Sequence, residues 1–211
     1  MPLFKPMSRS LIVPCLLALL ACTSERTPNP LNFSNAINAH LHTQELCFTD
    51  PSFRFPQTVS AKDKDGQALI VKYDALHEAG LISRSNSVKK IEGKSIDLNM
   101  EKALRYELSG PGYQFSSKKG ASKRNRALEF CYARSHAAAI VTHTPPQTTS
   151  GKTHTEVVYH YSLTQVADWA RSQKLLEVFP SVKQKMATLE KPEEHKARLV
   201  LTDKRWVYEP Q

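Results

Sequence analysis

The stretch LEFCYARSHAAAIV, residues 128–141, sets the architecture of this chain. It opens by alternating the large apolar residues Leu128, Phe130 and Tyr132 with polar or smaller ones. Such alternation is typical of a strand with one buried face. The run VVYHY at 157–161 alternates in the same way. We therefore predict a long antiparallel hairpin, with its strands joined by a loop over 142–155 that is rich in Pro, Thr and Ser.

Apolar residues at helical spacing predict about four helices in the rest of the chain. We expect them over about 33–46, from about Leu69 to Gly80 after a turn at Asp65-Gly66, from Ser162 through Leu176, and from Pro180 through Leu189. The second helix ends at a glycine, the third begins with the capping-box spacing of Ser162 and Gln165, and the fourth begins at a proline.

Shorter strands are predicted where β-type residues lie between turn signals. They fall around Phe53 and Phe55, over 81–98 with a turn at Glu92-Gly93, around Tyr106 and Leu108, and in a closing hairpin around Asp203-Lys204. No internal repeat is present in the sequence. We therefore expect an α+β fold with mostly antiparallel strands.

Two segments, YDALHEAGLISRSN (73–86) and RYELSGPGYQF (105–115), carry a loose resemblance over about 45 residues. They are similar to winged-helix domains, in which a helix ends in a GLI-like turn and a Tyr-x-Leu strand precedes a glycine turn. The leader described next predicts export, and an exported protein has no chromosomal DNA to bind. The resemblance therefore implies that these segments form a packing scaffold.

The first residues of the chain predict export. Lys5 and Arg9 give a positively charged start, and residues 11–20 are apolar apart from Pro14. Ten such residues are too few to cross a hydrocarbon core of ~30 Å, which takes ~20 in a helix. A charged start followed by a short apolar run is typical of a secretory signal peptide.

The end of that run, Leu19, Leu20, Ala21 and Cys22, resembles the lipobox of bacterial lipoprotein precursors. Leu20 departs mildly from the pattern, which more often has a smaller or β-branched residue there. The resemblance implies cleavage after residue 21 and a diacylglycerol on Cys22. By the sorting rule of Gram-negative lipoproteins, Thr23 implies the outer membrane. An ordinary signal peptide that happens to contain Cys22 is the alternative.

Three segments follow from this interpretation: a signal peptide over 1–21, an acylated tether over 22–31, and a single globular domain over 32–211. The tether is polar and contains two prolines. The chain carries a net charge of +9, and the leader's Lys5 and Arg9 supply two of these charges, which leaves +7 on the mature protein. A basic domain favours anionic partners, which in the periplasm are lipid phosphates, cell-wall carboxylates and acidic proteins.

Cys47 and Cys131 remain as an even pair once Cys15 leaves with the leader and Cys22 is acylated. In an oxidising compartment we predict a disulfide between them. It would close a loop of about 85 residues, for which chain entropy predicts ~4 kcal/mol. A boundary within 117–126 would divide the domain, but this disulfide crosses it. Two buried free thiols are the alternative.

The basic segment SSKKGASKRNR, 116–126, contains no acidic residue. We predict an electrostatic contact with lipid phosphate or an acidic partner, through Lys118, Lys119, Lys123, Arg124 and Arg126. No aromatic residue interrupts these cations, so no nucleic-acid partner is predicted. A solvated loop that maintains solubility is the alternative.

Four histidines, at 136, 143, 154 and 160, cluster around the long hairpin. His143 and His154 flank its loop, and this hairpin would allow them to approach each other. Glu156 and Asp168 are the nearby carboxylates, and their spacing matches no zinc pattern. We therefore predict neither a metal site nor a cofactor at His136, His143, His154 and His160. His40 and His42, two apart on a helix, are expected to face different ways.

The sequence contains no nucleophile elbow and no glycine-rich phosphate loop, and it has seven glycines in 211 residues. Trp169 and Trp206 are expected at the core or its edge. We therefore predict an outer-membrane lipoprotein that binds an envelope partner or anionic ligand without catalysis. An envelope hydrolase with dispersed catalytic residues and a structural lipoprotein contacting the cell wall are the alternatives.

Overall fold

A computed structural model describes residues 24–62, 64–90, 100–117 and 127–210. Its helices are α1 (Pro30–Leu41), α2 (Lys64–Glu78), α3 (Gly110–Phe115), α4 (Gln173–Val178) and α5 (Pro180–Ala187), with a 3₁₀ turn at Asp168–Arg171. Its strands are β1 (Glu45–Thr49), β2 (Gln57–Ser60), β3 (Ile82–Lys90), β4 (Met100–Leu108), β5 (Glu129–His143), β6 (Gln147–Thr149), β7 (Lys152–Thr164), β8 (Glu193–Leu201) and β9 (Trp206–Tyr208).

The strands form two antiparallel sheets, which confirms the α+β class. The larger sheet has the order β1-β5-β7-β8-β9, with β6 paired to β7, and the smaller one has the order β2-β4-β3. The predicted hairpin of β5 and β7 lies in the middle of the larger sheet. Its alternation is confirmed, because Phe130, Tyr132, Val157, Tyr159 and Tyr161 are all buried.

Helix α1 packs against β5 and β9 of the larger sheet. The Asn29 side chain accepts a hydrogen bond from the backbone N–H of Asn32 and caps the helix, with Pro30 in the first turn. The helix begins three residues before the predicted start and ends five before the predicted end. The end at 46 was wrong because residues 45–49 pair with the free edge of β5, where their backbone gains strand hydrogen bonds.

Helix α2 and the smaller sheet form the second layer of packing. Gly80 ends the helix as predicted, with a positive φ of 77° that favours glycine. The Asp65-Gly66 turn was wrong, since both residues lie in the first turn of α2, where an acidic side chain suits the helix dipole. The strand around Phe53 and Phe55 was also wrong. Both side chains lie in the connection between β1 and β2, where Phe53 is fully buried.

The sequence after β7 differs most from prediction. Strand β7 continues to Thr164, so Ser162 caps no helix, and its hydroxyl donates to the Thr188 carbonyl over 3.0 Å. Gln165 has a φ of 52°, which turns the chain out of the strand. Helical structure therefore begins only at Asp168. The predicted loop over 142–155 contains β6 and a tight turn at Ser150 and Gly151.

The disulfide between Cys47 and Cys131 is confirmed. The two residues are direct partners across β1 and β5, and their sulfurs are 2.01 Å apart. The bond therefore ties the edge strand to the central hairpin. The closing hairpin of β8 and β9 and the helix that begins at Pro180 also lie where predicted. The turn at Glu92-Gly93 lies outside the described residues.

Candidate functional site

The residues just before α1 are bound to the body of the domain. The buried Asn32 side chain donates from Nδ2 to the carbonyls of Ser24 and Thr27, over 2.9 and 2.8 Å. The indole N–H of Trp206, on β9, donates to the Arg26 carbonyl over 3.0 Å. Asn32 is 7% exposed and Trp206 is 2% exposed. Two buried donors therefore find their acceptors on this segment, which we call the N-terminal clasp (residues 24–29).

The clasp also reaches the turn between β8 and β9. The Arg26 guanidinium donates to the Asp203 carbonyl over 2.9 Å. That turn is closed by Thr202, whose hydroxyl donates to the Arg205 carbonyl. The clasp, the start of α1 and the last hairpin consequently form one end of the domain.

A cavity of about 250 Å³ lies at this end, between α1 and β9. Its walls combine apolar and polar side chains: Glu25, Asn32, Asn35, Ala36, Ala39, His40, Arg205, Trp206, Val207 and Tyr208. A cavity with apolar walls and a few hydrogen-bonding groups is typical of small-ligand sites. We call it the α1–β9 cavity.

The His40 and Tyr208 rings stack on each other and form an aromatic wall of this cavity. Their centroids are 3.9 Å apart and their planes differ by 3°. Trp206 is held from behind by the Phe33 ring, whose centroid is 5.3 Å from that of Trp206. Aromatic rings fixed by stacking lose little freedom when a ligand binds. These rings can therefore contact the apolar part of a ligand, with Arg205 and Glu25 available to its polar groups.

The four histidines of the hairpin have different partners. The His143 ring packs on Phe33, with centroids 4.9 Å apart. His154 lies 3.3 Å from a Glu209 carboxylate oxygen, and His160 lies 4.0 Å from one of Glu194. His136 stacks on His42, with centroids 5.7 Å apart. The predicted hairpin would allow His143 and His154 to approach each other. In the structure each contacts a different side chain, Phe33 for His143 and Glu209 for His154.

The His42–His136 pair joins the end of α1 to β5. Burial, together with the neighbouring His42, lowers the pKa of His136 below its ordinary value. The carbonyl of His42 accepts a hydrogen bond from the Arg134 guanidinium. His40, two residues earlier, stacks on Tyr208 instead. His40 on α1 and the C-cap residue His42 thus face different ways, as predicted.

A second groove, beside His154, contains several hydroxyls. It is lined by Thr144, Gln147, Thr149, His154, Thr155, Glu156 and Arg198. The Thr155 hydroxyl donates to the Thr144 carbonyl over 2.7 Å, and the Thr144 hydroxyl accepts from the Glu156 backbone N–H. The Glu209 carboxylate faces Arg198 Nε over 3.0 Å. The hydroxyls of Thr144 and Thr155 therefore hydrogen-bond to the backbone of the hairpin and stabilise its fold.

Residues 24–62, 64–90, 100–117 and 127–210 contain neither a metal-ligand cluster nor a membrane-spanning helix. Within these ranges, no three His, Cys, Asp or Glu side chains converge on a point that would hold a metal ion. No helix of the same ranges combines the length and apolar character needed to cross a membrane.

The predicted lipid site and the predicted anionic contact both lie outside the described residues. They are Cys22 and the basic side chains Lys118, Lys119, Lys123, Arg124 and Arg126. The tryptophan predictions are confirmed: Trp206 is buried and the Trp169 ring packs against Phe48, Phe115, Phe130 and Tyr132 at the core edge.

Sequence reasoning missed the residues that make the α1–β9 cavity. Asn32 and Trp206 are 174 positions apart, and no periodicity links Arg26 to a strand at the other end of the chain. No local pattern in the sequence marked these residues as neighbours. The cavity depends on β9 lying against α1, which is a tertiary contact.

Comparison of the chain with protein families, with curated proteins and with solved structures finds no match.

Proposed function

We propose that this protein is a lipoprotein of the outer membrane, on its periplasmic face, whose domain binds an envelope ligand without transforming it. The α1–β9 cavity carries the proposal. It combines a rigid aromatic wall of His40 and Tyr208 with polar groups of both charges, Glu25 and Arg205. Such a lining suits a small ligand with an apolar part and a polar or anionic part.

The disulfide supports the proposed compartment. Cys47 and Cys131 are bonded across neighbouring strands. Bonds of this kind persist in oxidising environments such as the bacterial periplasm. The lipobox resemblance at Leu19–Cys22 adds the anchor, since two or more acyl chains hold a protein stably at a membrane.

Binding is favoured over hydrolysis by the hydrogen bonds in the groove beside His154. The Thr155 hydroxyl, which lines this groove, donates to the Thr144 backbone carbonyl. A catalytic serine or threonine instead shares its hydrogen bond with a general base. The wall-contacting alternative predicts retention of the protein in purified sacculi at low salt, where the binding proposal predicts release.

Two further expectations remain proposals. The segment of α2, β3 and β4 that is similar to winged-helix domains would serve as a packing scaffold, with α2 packed on the small sheet. The basic segment 116–126 would contact lipid phosphate or an acidic partner. Neutralising Lys118, Lys119, Lys123, Arg124 and Arg126 should weaken that contact at low salt and have little effect at high salt.

Native mass spectrometry of protein extracted from membranes tests ligand binding. We expect the wild-type protein to retain a non-covalent adduct that Ala39→Trp loses, because the indole would fill the α1–β9 cavity. Ala187→Trp, at an exposed alanine of α5, is the matched control and should keep the adduct. An adduct present in all three proteins, or in none, contradicts ligand binding at this cavity.

Intact mass with and without reduction tests the anchor. We expect a mass for residues 22–211 plus acyl chains that increases by two hydrogens on reduction. An unacylated chain would contradict the lipid anchor and leave the cavity proposal standing.

A further inference from the structure

The first described residue of the clasp limits how far the domain can lie from a lipid on Cys22. The Ser24 carbonyl is held 2.9 Å from the Asn32 side chain. Cys22 precedes Ser24 by two residues, and a chain extends at most about 3.6 Å per residue. An acylated Cys22 therefore lies within about 7 Å of a point fixed on the domain.

This limit contrasts with the predicted tether over 22–31. A flexible chain of ten residues spans about 17 Å on average, which would allow the domain to rotate freely beneath the membrane. The clasp prevents this, because Asn32 and Trp206 are buried and would lose their acceptors if residues 24–29 detached. Detachment would break these hydrogen bonds and the one from Arg26 to Asp203 together, which favours the closed clasp in the folded protein.

We propose that the clasp end of the domain lies directly on the lipid headgroups around the anchor. This inference rests on the proposed lipid anchor and adds an orientation to it. The occupant of the surface is the lipid of the leaflet that holds the acyl chains, since the length of chain from Cys22 to Ser24 leaves no room for a protein layer between them.

The surface of this end suits headgroups. Leu31, in the first turn of α1, is 63% exposed and offers an apolar side chain to the interface. Arg26, Lys204 and Arg205 are exposed cations for lipid phosphate. Glu25 and Asp203 offset part of this charge. The short connection to Cys22, more than the charge, therefore determines the orientation.

The orientation also restricts the ligand of the α1–β9 cavity. Glu25 and Arg205 line that cavity and belong to the same end of the domain. A ligand that reaches it would come from the plane of the membrane. An amphiphile with a polar headgroup fits a lining of one cation, one carboxylate and stacked rings.

Fluorescence quenching in vesicles tests the orientation. The acylated protein, reconstituted in phosphatidylethanolamine and phosphatidylglycerol with nitroxide-headgroup lipid, would carry a fluorophore at Lys204→Cys or at Lys183→Cys. Lys183 is an exposed control on α5. We expect quenching at least severalfold stronger at position 204. Inserting about ten Gly/Ser residues between Thr23 and Ser24 should remove most of this difference.

Equal quenching at both positions in the acylated protein of native chain length would overturn the orientation and leave the lipid anchor intact. A protein that lacks acyl chains by intact mass and does not float with the vesicles would overturn both. The mass measurement therefore separates the two failures. Circular dichroism of each labelled variant confirms that the fold is retained.

Discussion

The indole N–H of Trp206 donates to the backbone carbonyl of Arg26 over 3.0 Å, and so joins the last strand to the segment that precedes the first helix. The two residues are 180 positions apart. Their contact joins the first and last parts of the described chain, and Trp206 also lines the α1–β9 cavity.

Replacing Trp206 by phenylalanine should destabilise the protein by about 1–3 kcal/mol, because the Arg26 carbonyl loses its donor and the smaller ring leaves space. Denaturant unfolding measures the change. Trp169→Phe is the matched control, since the Trp169 indole nitrogen is buried with no hydrogen-bond partner among the described residues. If Trp169→Phe lowered the free energy of unfolding as much as Trp206→Phe, the stabilising role of the Trp206–Arg26 hydrogen bond would be contradicted.

Gly112→Ala should destabilise the protein by about 1–3 kcal/mol through overpacking. A methyl group at Gly112 would meet the Leu81 carbonyl oxygen at 1.9 Å, and this backbone atom has little freedom to move away. Gly110→Ala, in the same short helix, meets nothing within 4 Å and should change the free energy of unfolding little. Thermal unfolding of the two variants provides the comparison, and equal midpoints would refute the close approach.

His136 should make the protein less stable as pH falls from about 7.5 to 5.5. Burial and His42 lower the pKa of His136 in the folded state. His136 therefore takes up a proton near pH 6.5 in the unfolded chain but stays neutral there in the folded protein. The free energy of unfolding consequently decreases as the pH falls through this range. Denaturant unfolding at the two pH values should show a smaller loss for His136→Gln than for wild type.

Asp50→Asn is the control for that pH dependence. Burial raises the pKa of Asp50, but hydrogen bonds from Lys72 and Ser52 outweigh it and the pKa lies below its ordinary value. Asp50 therefore titrates below this pH range. The Asp50→Asn variant should lose as much unfolding free energy between pH 7.5 and 5.5 as the wild type does. A His136→Gln variant with the full loss would show that another group is responsible.

Reducing the Cys47–Cys131 disulfide should cost about 2–4 kcal/mol of unfolding free energy, since the bond restricts the unfolded chain. Denaturant unfolding with and without a reductant measures this difference. The Cys47→Ala, Cys131→Ala double variant should match the reduced wild type and show no response to reductant. A reductant effect that persists in the double variant would assign the change to another group.

The local sequence pattern was sufficient to predict the central strands of the fold, but it was not sufficient to predict where the flanking helices begin and end. The alternation at 128–132 and 157–161 predicted β5 and β7, because a strand with one buried face must alternate. The end of the first helix was wrong, since the pairing of Glu45–Thr49 with β5 overrode helical spacing. Ser162 failed as a cap because β7 extends through it. In each case hydrogen bonds to a distant segment outweighed the local preference.

By itself, the sequence determined the class of the fold, the cysteine pair, the closing hairpin and the helix at Pro180. Each follows from neighbouring residues or, for the cysteines, from an even count. Only the tertiary structure decided that Asn32 and Trp206 hold residues 24–29, that His40 stacks on Tyr208, and that a cavity lies between α1 and β9. These contacts join residues far apart in sequence, and packing of the first helix against the last strand alone brings them within hydrogen-bonding distance.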